Sequence, residues 1–518
     1  MTHCQSTDLP IYRLSIPGPQ SLISDLLSFI RGRGIRAWLV GGYVRDRLLD
    51  RANYDLDLIV PEGGIALARV IANAFGGGFF VLDRERDVAR AVLRDEAGQS
   101  LAVDVARLRA ADLVGDLALR DFTVNAIAVD VSGDWPAGLL DPFDGRGDLA
   151  RGVIRAVSEN TFRDDPLRTL RAVRQAAELG FRIEDATAGL IRRDAALLAG
   201  VSAERVRDEL WRIVTAPAAW RHLRLLAGLD LLRVVLPETA AMIGVQQTYP
   251  HYQDVFDHTR AVLAHAEGLV ALLWPAGPYG RPEPVPDDTT LISSAGQWAE
   301  VADALAPYAA DLRGHLMQEL ASGHTRRDGL FWAALAHDWG KPATSTTGPD
   351  GRIHFYEHEQ AGAALAEARA WALRFSADEV AYLRVMVAGH MSPSHLAKEY
   401  PPGRRSLYRY FRDVGDAGPD CALLSLADHL AFWAAHPVPE HWPRRLGTFR
   451  LILETYFREH AARVAPRPFL DGRQIMAGFG LKPGPQIGRL LEGLREAQAA
   501  GEVTTPDQAR VWVGEHIG

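Results

Sequence analysis

Residues 37–60 read AWLVGGYVRDRLLDRANYDLDLIV, and this stretch decides the architecture of the N-terminal part of the chain. An apolar strand-like run, AWLV, ends in Gly41-Gly42, an amphipathic helical segment follows, and YDLDLIV reads as a second strand. Side chains alternate along a strand, so Asp55 and Asp57 project from one face while Leu56 and Leu58 project from the other. Two carboxylates aimed at one spot repel, and the usual compensation is a hard cation with oxygen ligands, here Mg²⁺. Two such ions activate an attacking hydroxyl and stabilise a leaving phosphate oxygen. Gly41 and Gly42 permit close backbone approach, and the N–H groups of the following helix can hold phosphate oxygens, which suits a triphosphate. Asp104, in the strand-like run LAVDV at 101–105, is a third candidate carboxylate.

Around this stretch the chain divides by pattern. After an N-terminal segment (1–30), residues 31–150 alternate strand-like runs with helical segments punctuated by Gly and Pro, which predicts an α/β head. From 151 to 245 helix-spaced apolar positions take over, as in LRTLRAVRQAAELGF, predicting a helical neck or body. A second helical region covers 246–442 and is interrupted by WPAGPYGRPEPVPDD (274–288), whose proline density predicts an exposed insertion. The tail, 443–518, turns at Pro483-Gly484-Pro485 into a helix carrying Ile487, Leu490, Leu491 and Leu494.

A chain of 518 residues exceeds what one core supports, and three or four domains are expected. No apolar run approaches the roughly 18 residues of a membrane span, and the first residues lack a secretory pattern, so a cytoplasmic protein without membrane association is expected. Cys4 and Cys421 are too few for a disulfide framework or a cysteine zinc site. The net charge of −8 argues against nucleic acid, yet Arg155, Arg163, Arg168 and Arg171 offer a basic strip opposed only by Glu159, Asp164 and Asp165.

Five blocks occur in order: GGYVRD, DLD, LALRDFTVNAIA (117–128), DPFDGRGDLARGVIR (141–155) and FRDDPLRTLRAVRQAAELGF (162–181). Together they resemble the bacterial class II tRNA nucleotidyltransferases, the CCA-adding, CC-adding and poly(A) polymerase family, over about residues 30–240, and the tail resembles the C-terminal segment of some members. The resemblance implies a nucleotidyltransferase head of mixed sheet and helices, tRNA 3′ ends as acceptor, and CTP as donor, joined by ATP if CCA is completed. It implies Asp55 and Asp57 as metal ligands, Gly42 and Arg45 at the triphosphate, and Arg120 at the phosphates. The family usually has a second arginine where this chain has Leu119.

Asp165 and Arg168 stand three apart on a predicted helix, with Arg171 and Arg174 continuing the face. Cytosine and adenine both place an amino donor beside a ring-nitrogen acceptor, so an accepting aspartate and a donating arginine admit C and A and reject U and G. The family's base-reading motif matches these four residues. Complete CCA synthesis is associated in the family with a flexible loop before the RD block. Here LAVDVARLRAADLVGDLALRDF leaves little between, which favours CC addition.

Downstream lie His258, His337-Asp338 in LAHDWGKP, His358, His390 and Asp428, mostly in helical context. Imidazole and carboxylate ligands suit a metal that polarises water against a phosphate ester. The set resembles the HD-domain phosphohydrolase signature, implying His258, His337, Asp338 and Asp428 as core ligands of a divalent metal (Mn, Ni, Fe, Mg or Zn), with His358 and His390 at a second one; His354 and His395 are nearby alternatives. Phosphatase or 2′,3′-cyclic phosphodiesterase activity follows from that resemblance. The competing readings are a complete CCA-adding enzyme, a poly(A) polymerase, and a non-catalytic RNA-binding or nucleotide-sensing protein. The last predicts loss of Asp55, Asp57, Arg45 or Arg120, all of which are present. Oligomeric state is not legible in the sequence.

Overall fold

The computed structural model describes residues 20–95, 98–133, 135, 138–249, 251–279, 295–321, 323–432 and 441–517; Cys4 and residues 280–288 of the proline-rich stretch lie outside them. The chain forms two units, Met1–Asp194 and Ala195–Gly518, dividing inside the segment 151–245 that reads as one neck in sequence.

In the first unit, helix α1 (Gln20–Gly32) precedes β1 (Trp38–Val40), α2 (Gly42–Leu48) and β2 (Asp55–Val60). Next come α3 (Gly64–Phe75), β3 (Gly78–Asp83), β4 (Val88–Arg94), β5 (Ser100–Arg107), α4 (Leu113–Ala118), β6 (Ala128–Asp130) and β7 (Leu139–Leu140). These strands make one seven-stranded sheet ordered β3-β4-β5-β2-β1-β6-β7. The sheet is mixed, because β2 and β5 run parallel while the other pairs are antiparallel. Leu56 and Leu58 are buried with Val103 and Val105, whereas Asp55 is exposed and Asp57 intermediate, so one face is core and the other carries the carboxylates.

Helix α5 (Arg168–Leu179) begins after Asp165-Pro166-Leu167. The sequence reading placed Asp165 on that helix; the structure instead puts it in an extended conformation, φ −149° and ψ 102°. The cause is Pro166, whose ring disfavours helical backbone in the residue before it. A two-stranded pair, Val153–Ile154 with Arg182–Ile183, also interrupts what the sequence reads as purely helical.

Among its described residues the second unit is helical apart from two short hairpins, Glu319–Ala321 with His324–Thr325 and Ser345–Thr347 with Ile353–Phe355. Its main helices are α6 (Val255–Leu273), α7 (Arg326–Ala336), α8 (His358–Ala372), α9 (Ala377–Gly389), α10 (Gly418–Phe432) and α11 (Trp442–Glu459). A capping box at Thr325 and Asp328 starts α7, and another at Ser376 and Glu379 starts α9. In the tail, α12 (Pro485–Ala500) buries Ile487, Leu490 and Leu494 in a small separate core, while Leu491 is only partly covered. No helix among the described residues is long and apolar enough to cross a membrane.

Candidate functional site

The parallel pairing of β2 and β5 sets Asp57 opposite Asp104 in register. Asp55 lies two residues earlier on the same face, so three carboxylates share one patch of sheet. Burial pushes the Asp57 carboxyl up, Arg120 opposes this, and Asp104 and Asp55 push it further up. Asp104 is clamped by Arg90 of β4 through two bonds of 2.7 and 2.8 Å, a partner that sequence reasoning missed. The signal was available: Arg90 stands directly opposite Asp104 once β4 and β5 are paired. A set of carboxylate oxygens, one of them held up by burial and, to a lesser degree, by its two acidic neighbours, fits a hard divalent cation.

Gly41 closes this patch from the β1 side. Its φ of 73° is open to glycine, and a Cβ there would stand 2.7 Å from Asp57 Oδ2 and 3.0 Å from Arg120 Nη1. Below the turn, Arg45 donates to both oxygens of Asp46 at 2.8 Å and to Asn125 Oδ1 at 2.9 Å. Asn53 links Asp46 to the backbone of Asp55, bonding Asp46 at 2.6 Å and accepting from the Asp55 N–H at 2.8 Å. The network ties the Gly-Gly turn to the aspartate strand. These bonds use three of the five guanidinium N–H groups, so Arg45 braces the turn and keeps one donor on each of Nη1 and Nη2.

A cleft of about 380 Å³ opens beside the carboxylates. Its floor is Ile59, Ala106 and Val88, the next row along the same sheet face, since Ile59 pairs with Ala106 and Ala106 with Val88. Arg120, Asp165, Arg168 and Arg171 line its walls. Burial pulls the Arg120 guanidinium down against the opposing pull of Asp57 and Asp116. Arg168 is anchored by donation to the carbonyls of Leu119 at 2.8 Å and Thr161 at 3.3 Å. Arg171 pairs with Asp121 at 3.1 Å, and Asp121 also accepts from Asn125. Although burial pushes Asp121 up, Arg171 and Asn125 hold it below the usual carboxylate range. Arg174 does not line the cleft; it is buried and bonds Glu178 at 2.8 Å. Of the basic strip expected from sequence, Arg155 pairs with Asp148 and Glu184 and Arg163 with Asp194, while Arg168 and the Asp121-paired Arg171 line the cleft.

In the second unit, the histidine-aspartate residues converge. His258, His337 and Asp338 form one group able to hold a metal, and Asp338, His358 and His390 form another, all buried. His337, His358 and His390 each point Nδ1 at the carbonyl three residues back, at 2.8, 2.9 and 2.7 Å. In the neutral tautomer that bond uses the ring's one proton, leaving the Nε2 lone pair turned inward. Nε2 of His337 lies 3.1 Å and that of His358 3.4 Å from the Asp338 oxygens. Lone pairs facing a carboxylate need a proton or a cation between them, which is the fit expected of a metal site. Asp428 accepts from His258 at 2.9 Å. Burial pushes Asp338 up, but His337 and Lys341 outweigh it and hold the carboxyl well below its ordinary value. Lys341, 2.7 Å from Asp338, belongs to the HDWGKP block but was not singled out from sequence. Gly340 of the same block permits α8 to pack, because a Cβ there would overlap the His358 carbonyl oxygen. His354 stacks on Tyr356 and, like His395, belongs to neither group.

The head is of the poly(A) polymerase type: residues 37–155 match the poly A polymerase head domain, and residues 180–243 match the probable RNA and SrmB-binding site of polymerase A. The chain is 34% identical over 502 residues to a CC-adding tRNA nucleotidyltransferase of Geobacter sulfurreducens, covering 97% of this chain and 96% of that protein. It is 35% identical over 488 residues to an A-adding tRNA nucleotidyltransferase of Deinococcus radiodurans, covering 92% and 94%. Among solved structures, a CCA-adding enzyme in complex with ATP shares the fold with a TM-score of 0.60 at 18% identity, over 97% of this chain and 96% of that one. The chain therefore belongs to the class II tRNA nucleotidyltransferase family.

Proposed function

We propose that this chain transfers nucleotides from CTP to the 3′ end of tRNA at Asp55, Asp57 and Asp104, and that it stops at CC. The observation that carries the reading is the in-register pair Asp57–Asp104 beside a cleft walled by Arg120, Asp165, Arg168 and Arg171. Mg²⁺ at the carboxylates would activate the attacking hydroxyl and neutralise the leaving pyrophosphate. Arg120 and the Gly41-Gly42 turn hold the phosphates, with Arg45 bracing that turn. Asp165 accepts from the base's amino group, Arg168, fixed by Leu119 and Thr161, donates to its ring, and Arg171 lines the same wall. Arg174 acts from behind the cleft, pinned to Glu178.

The two relatives above differ in what they add yet are almost equally similar, so overall likeness does not separate CC from A addition. The connection between β5 and Asp121 does favour one: α4 fills Leu113–Ala118, leaving only Leu108–Asp112 and Leu119–Arg120 as links. Purified protein is incubated with tRNA ending before CCA, given CTP, ATP or both. Two added C residues and no A support the reading; A added to a CC end contradicts it and favours complete CCA synthesis.

A second activity is favoured by Asp338, which both histidine groups share. We read the centre as an HD-type phosphohydrolase for 2′,3′-cyclic or terminal phosphates, with His258, His337, Asp338 and Asp428 as ligands, and His358 and His390 completing a second position. Hydrolysis of a 2′,3′-cyclic nucleotide with Mn²⁺ or Ni²⁺ tests it. Undiminished hydrolysis by the double variant His337→Ala, Asp338→Ala sinks it.

A further inference from the structure

The sheet face that carries Asp57 continues past the carboxylates to an exposed aromatic ring. Asp57 pairs with Asp104, Asp104 with Arg90, and Arg90 with Phe80. Directly paired residues project from the same side, so these four side chains form one row ending on β3, the sheet's outermost strand. Phe80 is 57% exposed, and Leu82, two residues further along the same strand, is 51% exposed. Phenylalanine is a residue type most often buried, and an exposed ring at the end of a row of catalytic-type side chains needs a reason. The ring leans over its own strand: a Cβ on Gly78 would stand 3.3 Å from Phe80 Cε2. The ring rests near Gly78 on one side, and more than half of the residue stays exposed.

Guanidinium groups stand near the ring. Arg90, bonded to Asp104, lies next to it in the row, and Arg86 and Arg107 line the neighbouring cleft, with the Arg86 side chain 78% exposed and 3.7 Å from Asp83. In-line displacement puts the attacking oxygen and the leaving pyrophosphate on opposite sides of the transferred phosphorus. Gly41, with Arg120 against it, flanks Asp57 on the β1 side, where the phosphates are proposed to sit. The attacking 3′-hydroxyl then enters over Asp104, from the β5-β4-β3 half of the sheet. Neighbouring strands lie about 4.8 Å apart, so Phe80 stands about 10 Å beyond Asp104, within reach of the last unpaired nucleotides of a strand.

We propose that Phe80 is a stacking platform for an unpaired base at the 3′ end of the RNA acceptor, flanked by Arg86 and Arg90. This rests on the reading of Asp55, Asp57 and Asp104 as the catalytic carboxylates. An aromatic platform beside a basic groove is the usual way to hold single-stranded RNA without reading its sequence. In steady-state incorporation and filter binding on the full chain, Phe80→Ala is expected to raise both KM and Kd for tRNA about tenfold. KM for CTP should stay constant, and Phe80→Trp should behave like the parent. Phe80→Leu keeps an apolar cover over Gly78 and should still lose tRNA affinity. If Phe80→Ala and Phe80→Leu bind tRNA like the parent and only melt earlier, Phe80 merely shields Gly78 and the proposal is wrong. Asp57→Asn separates the two claims. Loss of incorporation with tRNA binding retained leaves the outcome to the Phe80 variants; persistent incorporation overturns the site reading and, with it, the geometry behind the platform.

Discussion

Asp57 and Asp104 stand directly opposite one another on parallel strands, while Arg90 clamps Asp104 from the next strand out. The pairing explains how like charges coexist: one carboxylate is neutralised by a fixed guanidinium and the other is left for a cation. Arg90 therefore sets the direction of Asp104 more than it sets stability. Its side chain and that of Asp104 are both partly solvated, and such a pair contributes only about 1 kcal/mol or less. Arg90→Met is expected to leave the melting temperature nearly unchanged while lowering kcat at saturating CTP roughly tenfold. Thermal melts and single-turnover incorporation on the same preparation measure both.

Gly41→Ala should be far more damaging to activity than its size suggests. The added methyl meets Asp57 Oδ2 and Arg120 Nη1 in a backbone conformation, φ 73° and ψ −142°, that L residues rarely adopt and that costs them about 1–3 kcal/mol. Incorporation is expected to fall by about two orders of magnitude or more, because positioning errors near 1 Å at a reaction centre cost that much. A variant within a few-fold of the parent would contradict the close approach of turn, carboxylate and arginine.

Selection among nucleotides should depend on Asp165. Asp165→Ala removes the acceptor for the amino group but leaves Arg168 anchored by Leu119 and Thr161. The ratio of CTP to UTP incorporation is expected to drop by about tenfold or more, the scale set by one lost charge-assisted hydrogen bond. An unchanged ratio would place base reading elsewhere.

These expectations could be framed in advance because Gly-Gly, DLD and the RD block are local signals, each carried by a few consecutive residues. What sequence missed was contact between segments far apart in the chain. Arg90 lies 14 positions from Asp104 and acquires meaning only when β4 and β5 pair. Pro166 is itself a local signal, because its ring pushes Asp165 out of the helix that begins at Arg168 and overrides the three-residue spacing. The ion-pair partners of the basic strip were hidden for a related reason, since Arg155 and Arg163 meet Asp148 and Asp194 only in the fold. In the second unit the residue types of the histidine-aspartate set were legible, whereas the orientation of each imidazole by a carbonyl three residues back was not.

Stability of the second unit should fall in mild acid. Burial pushes the His265 imidazole down from 6.5 to about 4, and its Nδ1 bonds the Ala261 carbonyl at 2.7 Å. Below pH 6.5 the unfolded chain therefore binds a proton that the folded chain refuses, so stability present above that pH is lost as pH falls towards about 4. His222, lowered to about 4 by burial, adds in the same direction. Melting temperature measured between pH 7.5 and about 4.5 should decline below about 6.5, and His265→Phe should shallow that decline. An equally steep profile in the variant would exclude His265 as a contributor.

The central claim is that Asp55 and Asp57 carry nucleotidyl transfer to tRNA. The most direct measurement is incorporation of labelled CTP into tRNA ending before CCA, by the parent and by Asp55→Asn and Asp57→Asn, with Mg²⁺ and with chelator. The parent should extend the tRNA only with the metal, and both variants should be inactive while melting like the parent and binding tRNA with the same Kd. A parent that adds no nucleotide to any tRNA, or an Asp57→Asn variant that still adds C, would contradict the account.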